Sequence, residues 1–198
     1  PQERSDSSGR SCGMIGPTCT GGRTAAENTP VEPDLARTSE GNVVNPTPSV
    51  PAPRVLSIAG TDPTGGAGHA ADLKSIAAMG GFGLSVVTAV VAQNTQGVVA
   101  VHTPPVSVLQ AQLDAVAQDV ELDAVKVGML GSVDVIETVG AWLAAHRAPV
   151  AVIDPVMVAT AGGRLLEPDA EDALRGILHH ADLITPNLPE LAVLAERP

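Results

Sequence analysis

The sequence of 198 residues lacks most of the features by which nucleic-acid-binding proteins are recognised. It contains one Phe, one Trp and no Tyr, and its formal net charge is −11 with no run of basic residues. Nucleic-acid binding requires a basic surface and usually aromatic side chains on which bases stack. These absences argue against a nucleic-acid partner, and the acidic balance is typical of a solvated surface.

Cysteine and long apolar runs are also scarce. Cys12 and Cys19 are the two cysteines, and no metal-ligand pattern surrounds them, although their spacing allows a small disulfide loop. No apolar run reaches the length of a membrane span, and the first residues lack the basic-then-apolar order of a signal peptide. We therefore expect a cytoplasmic protein without a membrane partner.

The composition divides the chain into two segments. Residues 1–53 are rich in Pro, Ser, Thr, Gly and Asn and contain almost no apolar run, so they cannot bury enough surface to offset the entropy of ordering them. From Arg54 onward the chain is rich in Val, Ala, Leu and Ile. We predict a disordered tail over 1–53 and one globular unit over 54–198.

Within the globular unit, short β-branched runs alternate with longer amphipathic ones. Because the strand-like runs are continuously apolar, the fold class is predicted as α/β, with a mainly parallel sheet flanked by helices on both faces. The pattern predicts strands at 54–60, 84–93, 124–130, 149–156 and 181–187, and helices at 70–81, 105–120, 133–146, 169–180 and from 188 onward.

Polar residues follow several of these strands, at the edge where sheets of this class bind ligands. We expect them to lie together although they are distant in sequence. They are Asp62, Gln93, Asn94, the turn 128–131, Asp154 and Asn187.

The glycine-rich segment GTDPTGGAGHAADLK, residues 60–74, follows the first predicted strand. It lacks the Lys-Ser/Thr pair of a Walker phosphate loop. It also holds only the first half of the G-x-G-x-x-G dinucleotide fingerprint, with Ala71 at the third glycine position, so a nicotinamide-binding oxidoreductase stays an alternative. A simple tight turn explains the glycines but not Asp62 and Thr64.

Five segments occur in an order and spacing that resemble the bacterial hydroxymethylpyrimidine/phosphomethylpyrimidine kinases of the ribokinase-like superfamily. They are SIAGTDPTGGAGHAADLK, VTAVVAQNTQGV, VKVGMLGS, VIDPVMVATAGGRLL and LITPNLPE. The resemblance runs from about Arg54 to the last residue. It implies a ribokinase-like three-layer sandwich that uses ATP and Mg²⁺ to phosphorylate an aminopyrimidine in thiamine biosynthesis, first on its hydroxymethyl group and then on the monophosphate. Pyridoxal kinases are similar and form the alternative; homodimers are common among these relatives.

The resemblance also implies a substrate pocket. Gln93 would be its hydrogen-bonding residue, because a carboxamide offers both donors and an acceptor to the edge of an aminopyrimidine. Alternatively, Gln93 is a strand-end residue that bonds to the backbone. The full set of candidate substrate-binding residues is Gly60, Asp62, Ala67, Val91, Gln93, Met129 and Val156.

Asn187 and Glu190 match the N-x-x-E motif that the superfamily uses near magnesium and the ATP phosphates. Magnesium prefers oxygen ligands, carboxylates among them, and retains water. Asp154 is expected to add to the same electrostatics. The spacing of Asn187 and Glu190 also fits a helix capping box, and the two roles are compatible.

The family's G-T-G-[CD] segment, which supplies its anion hole and catalytic residue, has no counterpart in the 198 residues. No catalytic residue is therefore assigned, and Cys12 and Cys19 lie outside any such context. Phosphoryl transfer depends on positioning and on stabilising the charge of the transferred group. We expect an incomplete fold that binds pyrimidine at most weakly and lacks turnover. A non-catalytic pyrimidine-binding module or pseudo-kinase is the remaining alternative.

Overall fold

A computed structural model describes residues 51–157, 166 and 168–196. All but the last three residues of the predicted tail over 1–53 lie outside the described residues. The strands are β1 Arg54–Ala59, β2 Phe82–Val87, β3 Val90–Asn94, β4 Gly97–His102, β5 Ala124–Val127, β6 Ala151–Ile153 and β7 Leu183–Ile184. The helices are α1 Gly68–Ala78, α2 Val106–Asp119, α3 Val133–Ala145, α4 Glu171–Ile177 and α5 Leu188–Leu194.

Five of these strands form one sheet in the order β2-β1-β5-β6-β7, and every neighbouring pair in it is parallel. Each strand connects to the next through a helix, as parallel pairing requires. The predicted α/β class with a mainly parallel sheet is therefore confirmed.

Helices cover both faces of this sheet. On the first face, which we call the core face, Leu56 and Ile58 of β1 belong to one buried cluster with Leu113 of α2 and Ile136 of α3. On the second, which we call the α1 face, Leu73 of α1 lies directly over the backbone of β2. A Cβ added to Gly83 would lie 2.6 Å from the Leu73 Cδ2 atom, so the helix approaches the strand as closely as glycine permits.

The predicted strand over 84–93 is wrong, because this stretch forms two strands that belong to two sheets. The chain leaves the parallel sheet at Thr88, whose hydroxyl donates to the carbonyl of Met129 at 2.7 Å. β3 then pairs antiparallel with β4, which the sequence analysis missed. The turn between them is held by the Asn94 side chain, whose Oδ1 accepts from the backbone N–H groups of Gln96 and Gly97. We call β3 and β4 the hairpin.

The remaining elements match their predictions apart from their ends. The helix predicted over 169–180 consists of α4 with a short 3-10 turn on either side, at Pro168–Ala170 and Leu178–His180. α1 ends at glycines, as predicted: Gly80 has φ +80° and the Gly81 N–H donates to the Ile76 carbonyl at 2.9 Å. Across the described residues, no helix has both the length and the apolar character needed to cross a membrane.

Candidate functional site

A cavity of about 770 Å³ lies at the carboxyl ends of β1 and β5, beside the hairpin. All seven predicted substrate-binding residues line it, and so does Asp154. Gly60, Asp62 and Ala67 come from the loop after β1, Val91 and Gln93 from the hairpin, and Met129 and Val156 from the segments after β5 and β6. Neither Asn187 nor Glu190 is among the lining residues.

Asp62 organises the loop between β1 and α1. Its side chain is buried, and its Oδ2 atom accepts from the Ala67 N–H at 2.8 Å and from the Gly66 N–H at 3.1 Å. Its Oδ1 atom accepts from the Thr64 N–H at 2.9 Å, and the Thr64 hydroxyl donates to the same carboxylate. This bonding explains why Asp62 and Thr64 occur in an otherwise apolar stretch.

Two glycines of this loop are required by close approach. Gly68 has φ +56°, and a Cβ added there would lie 2.3 Å from the Gly60 carbonyl oxygen. A Cβ on Gly60 would lie 2.5 Å from the Met129 Cε atom, so the bare backbone of Gly60 admits the Met129 side chain. The glycines therefore bring backbone and an apolar wall together at one end of the cavity.

Gln93 reaches the cavity from the hairpin, just after a shift in register between Ala92 and Gln93. The hairpin is anchored to the loop, since the Thr61 hydroxyl accepts from the Val91 N–H at 2.7 Å. The side chain of Gln93 faces the Asp62 carboxylate across the cavity wall and favours its ionised form. Gln93 therefore lies where a substrate-binding residue should lie, and its role in binding the ring stays a prediction.

The hydrogen bonds on Asp62 also set its protonation. Burial has the largest single effect and raises the pKa of this carboxyl group, but the polar side chain of Gln93 and the hydrogen bonds from Thr64 and Ala67 together outweigh it and lower the pKa to about 2. Asp62 is therefore ionised at neutral pH.

A charged cluster that the sequence analysis did not assign lies on the α1 face beside the cavity. The Lys126 ammonium pairs with the Asp72 carboxylate at 3.1 Å, and the Ser57 hydroxyl donates to the same carboxylate oxygen at 2.7 Å. Burial raises the pKa of Asp154, while the charge of Lys126 opposes that rise. A lysine inside an apolar strand was the available signal, but which face of the sheet it occupies could not be predicted from the pattern alone.

Asn187 and Glu190 form the capping box that the sequence analysis offered as a compatible role. The Glu190 N–H donates to Asn187 Oδ1 at 2.9 Å, and the Asn187 N–H donates to Glu190 Oε2 at 3.0 Å. Glu190 is buried, and its other oxygen accepts from the Met157 N–H at 3.2 Å. These bonds fix the start of α5 and the orientation of the Glu190 carboxylate.

The oxygen-bearing side chains of Asp154, Asn187 and Glu190 are compatible with magnesium, but they would not complete its coordination by themselves. No group of three or more His, Cys, Asp or Glu residues that could hold a metal occurs in the part of the chain that the structure describes. Magnesium in phosphoryl-transfer enzymes needs only one or two carboxylates, with phosphate oxygens and water completing its coordination. Asp154 and Glu190 are close enough for Glu190 to raise the pKa of Asp154, and they form such a pair. The metal role of these residues stays a prediction.

An α/β fold with a ligand cavity at the carboxyl edge of its sheet agrees with comparisons to known proteins. A family model described as phosphomethylpyrimidine kinase matches residues 62–198, and the chain belongs to this family. It is 57% identical over 164 residues to the thiamine biosynthesis multifunctional protein ThiED of Corynebacterium glutamicum. This alignment covers 82% of this chain and 21% of that protein. It is 49% identical over 144 residues to the hydroxymethylpyrimidine/phosphomethylpyrimidine kinase of Salmonella typhimurium, covering 72% of this chain and 54% of that protein.

Solved structures give the same result for the fold. The phosphomethylpyrimidine kinase of Clostridium difficile matches with a TM-score of 0.69 and 40% identity, over 73% of this chain and 63% of that one. A pyridoxal kinase of Staphylococcus aureus in complex with AMP-PCP matches with a TM-score of 0.65 and 34% identity, over 73% of this chain and 52% of that one. The chain spans about half the length of the curated single-function kinases it matches.

Proposed function

We propose that residues 54–198 form the pyrimidine-binding part of a kinase that phosphorylates 4-amino-5-hydroxymethyl-2-methylpyrimidine and its monophosphate in thiamine biosynthesis. The observation that carries this proposal is the meeting of all seven predicted substrate-binding residues in one cavity. They come from four separate parts of the chain, so their meeting is not a consequence of sequence proximity.

The cavity has the chemistry that a flat, polar-edged ring requires. Val91, Met129 and Val156 supply apolar surface, and the absence of a side chain at Gly60 lets Met129 lie close against the backbone at one end of the cavity. Gln93 supplies hydrogen-bonding groups at one side of this slot. Small-molecule sites are typically apolar with a few convergent polar groups of this kind.

ATP is the proposed phosphoryl donor, in keeping with the family, and Mg²⁺ the proposed metal. Asp154 and Glu190 would hold the ion with Asn187 nearby, and the ion would neutralise charge on the phosphates. Lys126 is a cation lining the cavity beside this acidic pair, and it offsets part of their negative charge.

Calorimetric titration of the 198-residue chain tests the pyrimidine assignment. We expect measurable binding of the hydroxymethylpyrimidine, weaker binding of pyridoxal and no binding of NAD. Gln93→Met should weaken pyrimidine binding by about tenfold or more, since it removes the proposed hydrogen-bonding partner of the ring. Gln96→Met, at an exposed position of the hairpin turn, is the matched control and should bind as the unchanged chain does.

Two results would contradict the proposal in different ways. Preferential binding of pyridoxal would favour a pyridoxal-kinase-like enzyme, and binding of NAD would favour the oxidoreductase. ATP-dependent turnover should be absent from the 198-residue chain if a missing G-T-G-[CD] segment supplies the anion hole. Turnover at the rate of the longer kinases would show that this segment is dispensable.

A further inference from the structure

We propose that Lys126 binds the phosphate of the pyrimidine monophosphate, and that Asp72 and Ser57 hold its ammonium group in place for that contact. This inference rests on the proposed function, because it takes the cavity as the site of the pyrimidine. It assigns a residue to the second of the two phosphorylations, in which the ligand enters the cavity already carrying charge.

The charges on the cavity wall favour the uncharged ligand over the charged one. Among the described residues that line the cavity, the acidic side chains are Asp62, Asp72 and Asp154, and Lys126 is the only basic one. The hydroxymethylpyrimidine is uncharged at neutral pH, so these carboxylates do not oppose its entry. The monophosphate carries about −1.5 to −2 charges at pH 7, and like charges brought together in a site are unfavourable. Its phosphate therefore needs a cation beside it, and Lys126 is the cation that the cavity wall offers.

The ammonium group lies at the carboxyl edge of the sheet, next to the apolar wall of the cavity. A Cβ added to Gly128, the residue after β5, would lie 2.9 Å from the Lys126 Nζ atom and 3.2 Å from the Ala59 Cβ atom. Gly128 therefore leaves room for the ammonium group beside the end of β1. Met129, which lines the cavity, is the next residue along the chain. The cation and the apolar wall that would hold the ring are thus neighbours.

Two side chains fix the ammonium group from the α1 face. Its Nζ atom donates to Asp72 Oδ2 at 3.1 Å, and the same oxygen accepts from the Ser57 hydroxyl at 2.7 Å. Ser57 is fully buried and is the register partner of Lys126 on the neighbouring strand β1, so it ties the Asp72 carboxylate to the sheet. A lysine held in this way loses less side-chain freedom on binding a ligand than a lysine that is free in solvent.

The bond to Asp72 leaves hydrogen-bonding capacity on the ammonium group. A lysine ammonium has three N–H donors. Among the residues that the structure describes, Asp72 supplies the one acceptor that contacts the Lys126 Nζ atom. Two N–H donors are therefore left for a ligand in the cavity. Hydrogen bonds from an ammonium group to a phosphate oxygen are charge-assisted and stronger than those between neutral groups.

The test is calorimetry on the full 198-residue chain in buffer free of divalent cations, with 4-amino-5-hydroxymethyl-2-methylpyrimidine and with its monophosphate. In Lys126→Met the affinity for the monophosphate should fall by about tenfold or more, because charge-assisted hydrogen bonds are lost. The affinity for the uncharged pyrimidine should change by less than about threefold. A merely structural role for Lys126 would weaken both ligands alike and leave the ratio of their affinities intact.

Arg147→Met is the matched control. Arg147 is exposed and lies between α3 and β6, on the side of the sheet at which β6 begins, remote from the cavity. This variant removes one positive charge, as Lys126→Met does, yet both affinities should equal those of the unchanged chain. An equal fall in monophosphate affinity in Arg147→Met would show that net charge alone is responsible and would overturn the inference.

A second measurement covers the case in which Lys126→Met does not fold. The sequence has two lysines, Lys74 and Lys126, so a chain labelled with ¹³C at lysine Cε gives two NMR signals, which Lys74→Met assigns. Lys74 is exposed, and its Nζ atom donates to the Gly65 carbonyl, so its signal is the internal reference. Replacing the bound hydroxymethylpyrimidine by the monophosphate should move the Lys126 signal more than the Lys74 signal. Equal or smaller movement of the Lys126 signal would overturn the inference.

A third titration, with AMP-PCP, distinguishes the phosphate of the pyrimidine from those of a nucleotide. Loss of AMP-PCP binding in Lys126→Met, with monophosphate binding unchanged, would assign Lys126 to the nucleotide and overturn the inference. An unchanged ratio of the two pyrimidine affinities in folded Lys126→Met, or binding of the uncharged pyrimidine alone by the unchanged chain, would also overturn it while leaving pyrimidine binding intact. Binding of neither pyrimidine by the unchanged chain would overturn both this inference and the proposed function.

Discussion

The two faces of the central sheet are built from different side chains, although they belong to the same strands. On the core face, Leu56, Ile58, Val125 and Val127 are buried and pack against α2 and α3. On the α1 face, the residues between them include Ser57 and Lys126, and α1 itself has no buried residue. One alternating pattern therefore supplies the apolar core on one side and a polar cluster beside the cavity on the other.

The two faces are therefore stabilised by different kinds of interaction. The core face depends on filled volume, which is nondirectional and scales with buried apolar area. The α1 face and the loop beside it depend on close backbone approach, directed hydrogen bonds and paired charges. We therefore expect substitutions on the core face to act on the free energy of unfolding, and substitutions beside the cavity to act on ligand binding as well.

The largest effect is expected from removing volume on the core face. Leu56→Ala should lower the free energy of unfolding by about 2–5 kcal/mol, because the side chain is fully buried and its removal leaves a cavity. Urea denaturation followed by circular dichroism measures this loss. The folded fraction should still bind pyrimidine with unchanged affinity. A cost below about 1 kcal/mol would show that the two faces do not differ as described.

A smaller loss of stability, with a loss of binding, is expected from Gly68→Ala. The substitution places a Cβ at 2.3 Å from the Gly60 carbonyl oxygen in a residue with φ +56°, so the loop must move. Strain from positive φ alone costs about 1–2 kcal/mol, and the clash adds to it.

Gly80→Ala isolates that strain. Gly80 has φ +80° with nothing within 4 Å of the added Cβ, and it lies at the far end of α1. This variant should lose about 1–2 kcal/mol without losing pyrimidine binding. Calorimetry and thermal unfolding of both variants give the comparison, and equal binding by both would contradict the importance of close approach at Gly68.

The smallest effect is expected from removing charge at the α1 face. Lys126→Met takes away the partner of Asp72, and because both side chains are partly exposed we expect a loss of only about 0.5–1 kcal/mol. The pKa of Asp154, already raised chiefly by burial, should rise further because the opposing charge of Lys126 is gone.

The sign of the resulting pH dependence follows from that shift. A carboxyl group whose pKa is higher in the folded than in the unfolded state holds its proton more tightly when folded, so its ionisation lowers stability as the pH rises above the unfolded value. Stability of Lys126→Met should therefore fall more steeply than that of the unchanged chain as the pH is raised from the unfolded pKa of Asp154 through its folded pKa. A carboxyl ¹³C titration of Asp154 by NMR, with unfolding curves across this range, checks both parts.

The sequence predicted the class of the fold because it depends on local signals, whereas the candidate residues of the cavity were implied by the family resemblance. The alternation of short apolar runs with amphipathic helical segments predicted the parallel sheet. The polar residues that follow its strands predicted the edge of the sheet at which a ligand binds. It did not predict the exit of the chain at Thr88, which depends on a hydrogen bond to Met129, a residue 41 positions away. Nor did it reveal the hydrogen bonds that hold the Asp62 carboxylate or the cluster around Lys126, since these require knowing which faces meet in space.

The hairpin carries Gln93 on a ribbon outside the parallel sheet, and its attachment to the loop after β1 includes the Val91–Thr61 hydrogen bond. Gln93, which we propose to contact the ring, is thus carried by the hairpin, and the apolar side chains of the hairpin do not belong to the main core cluster. Sequence changes in residues 90–102 can therefore alter which ring is recognised without repacking that cluster. Under the proposed function, substitutions in the hairpin can therefore change substrate choice while the parallel sheet keeps its packing.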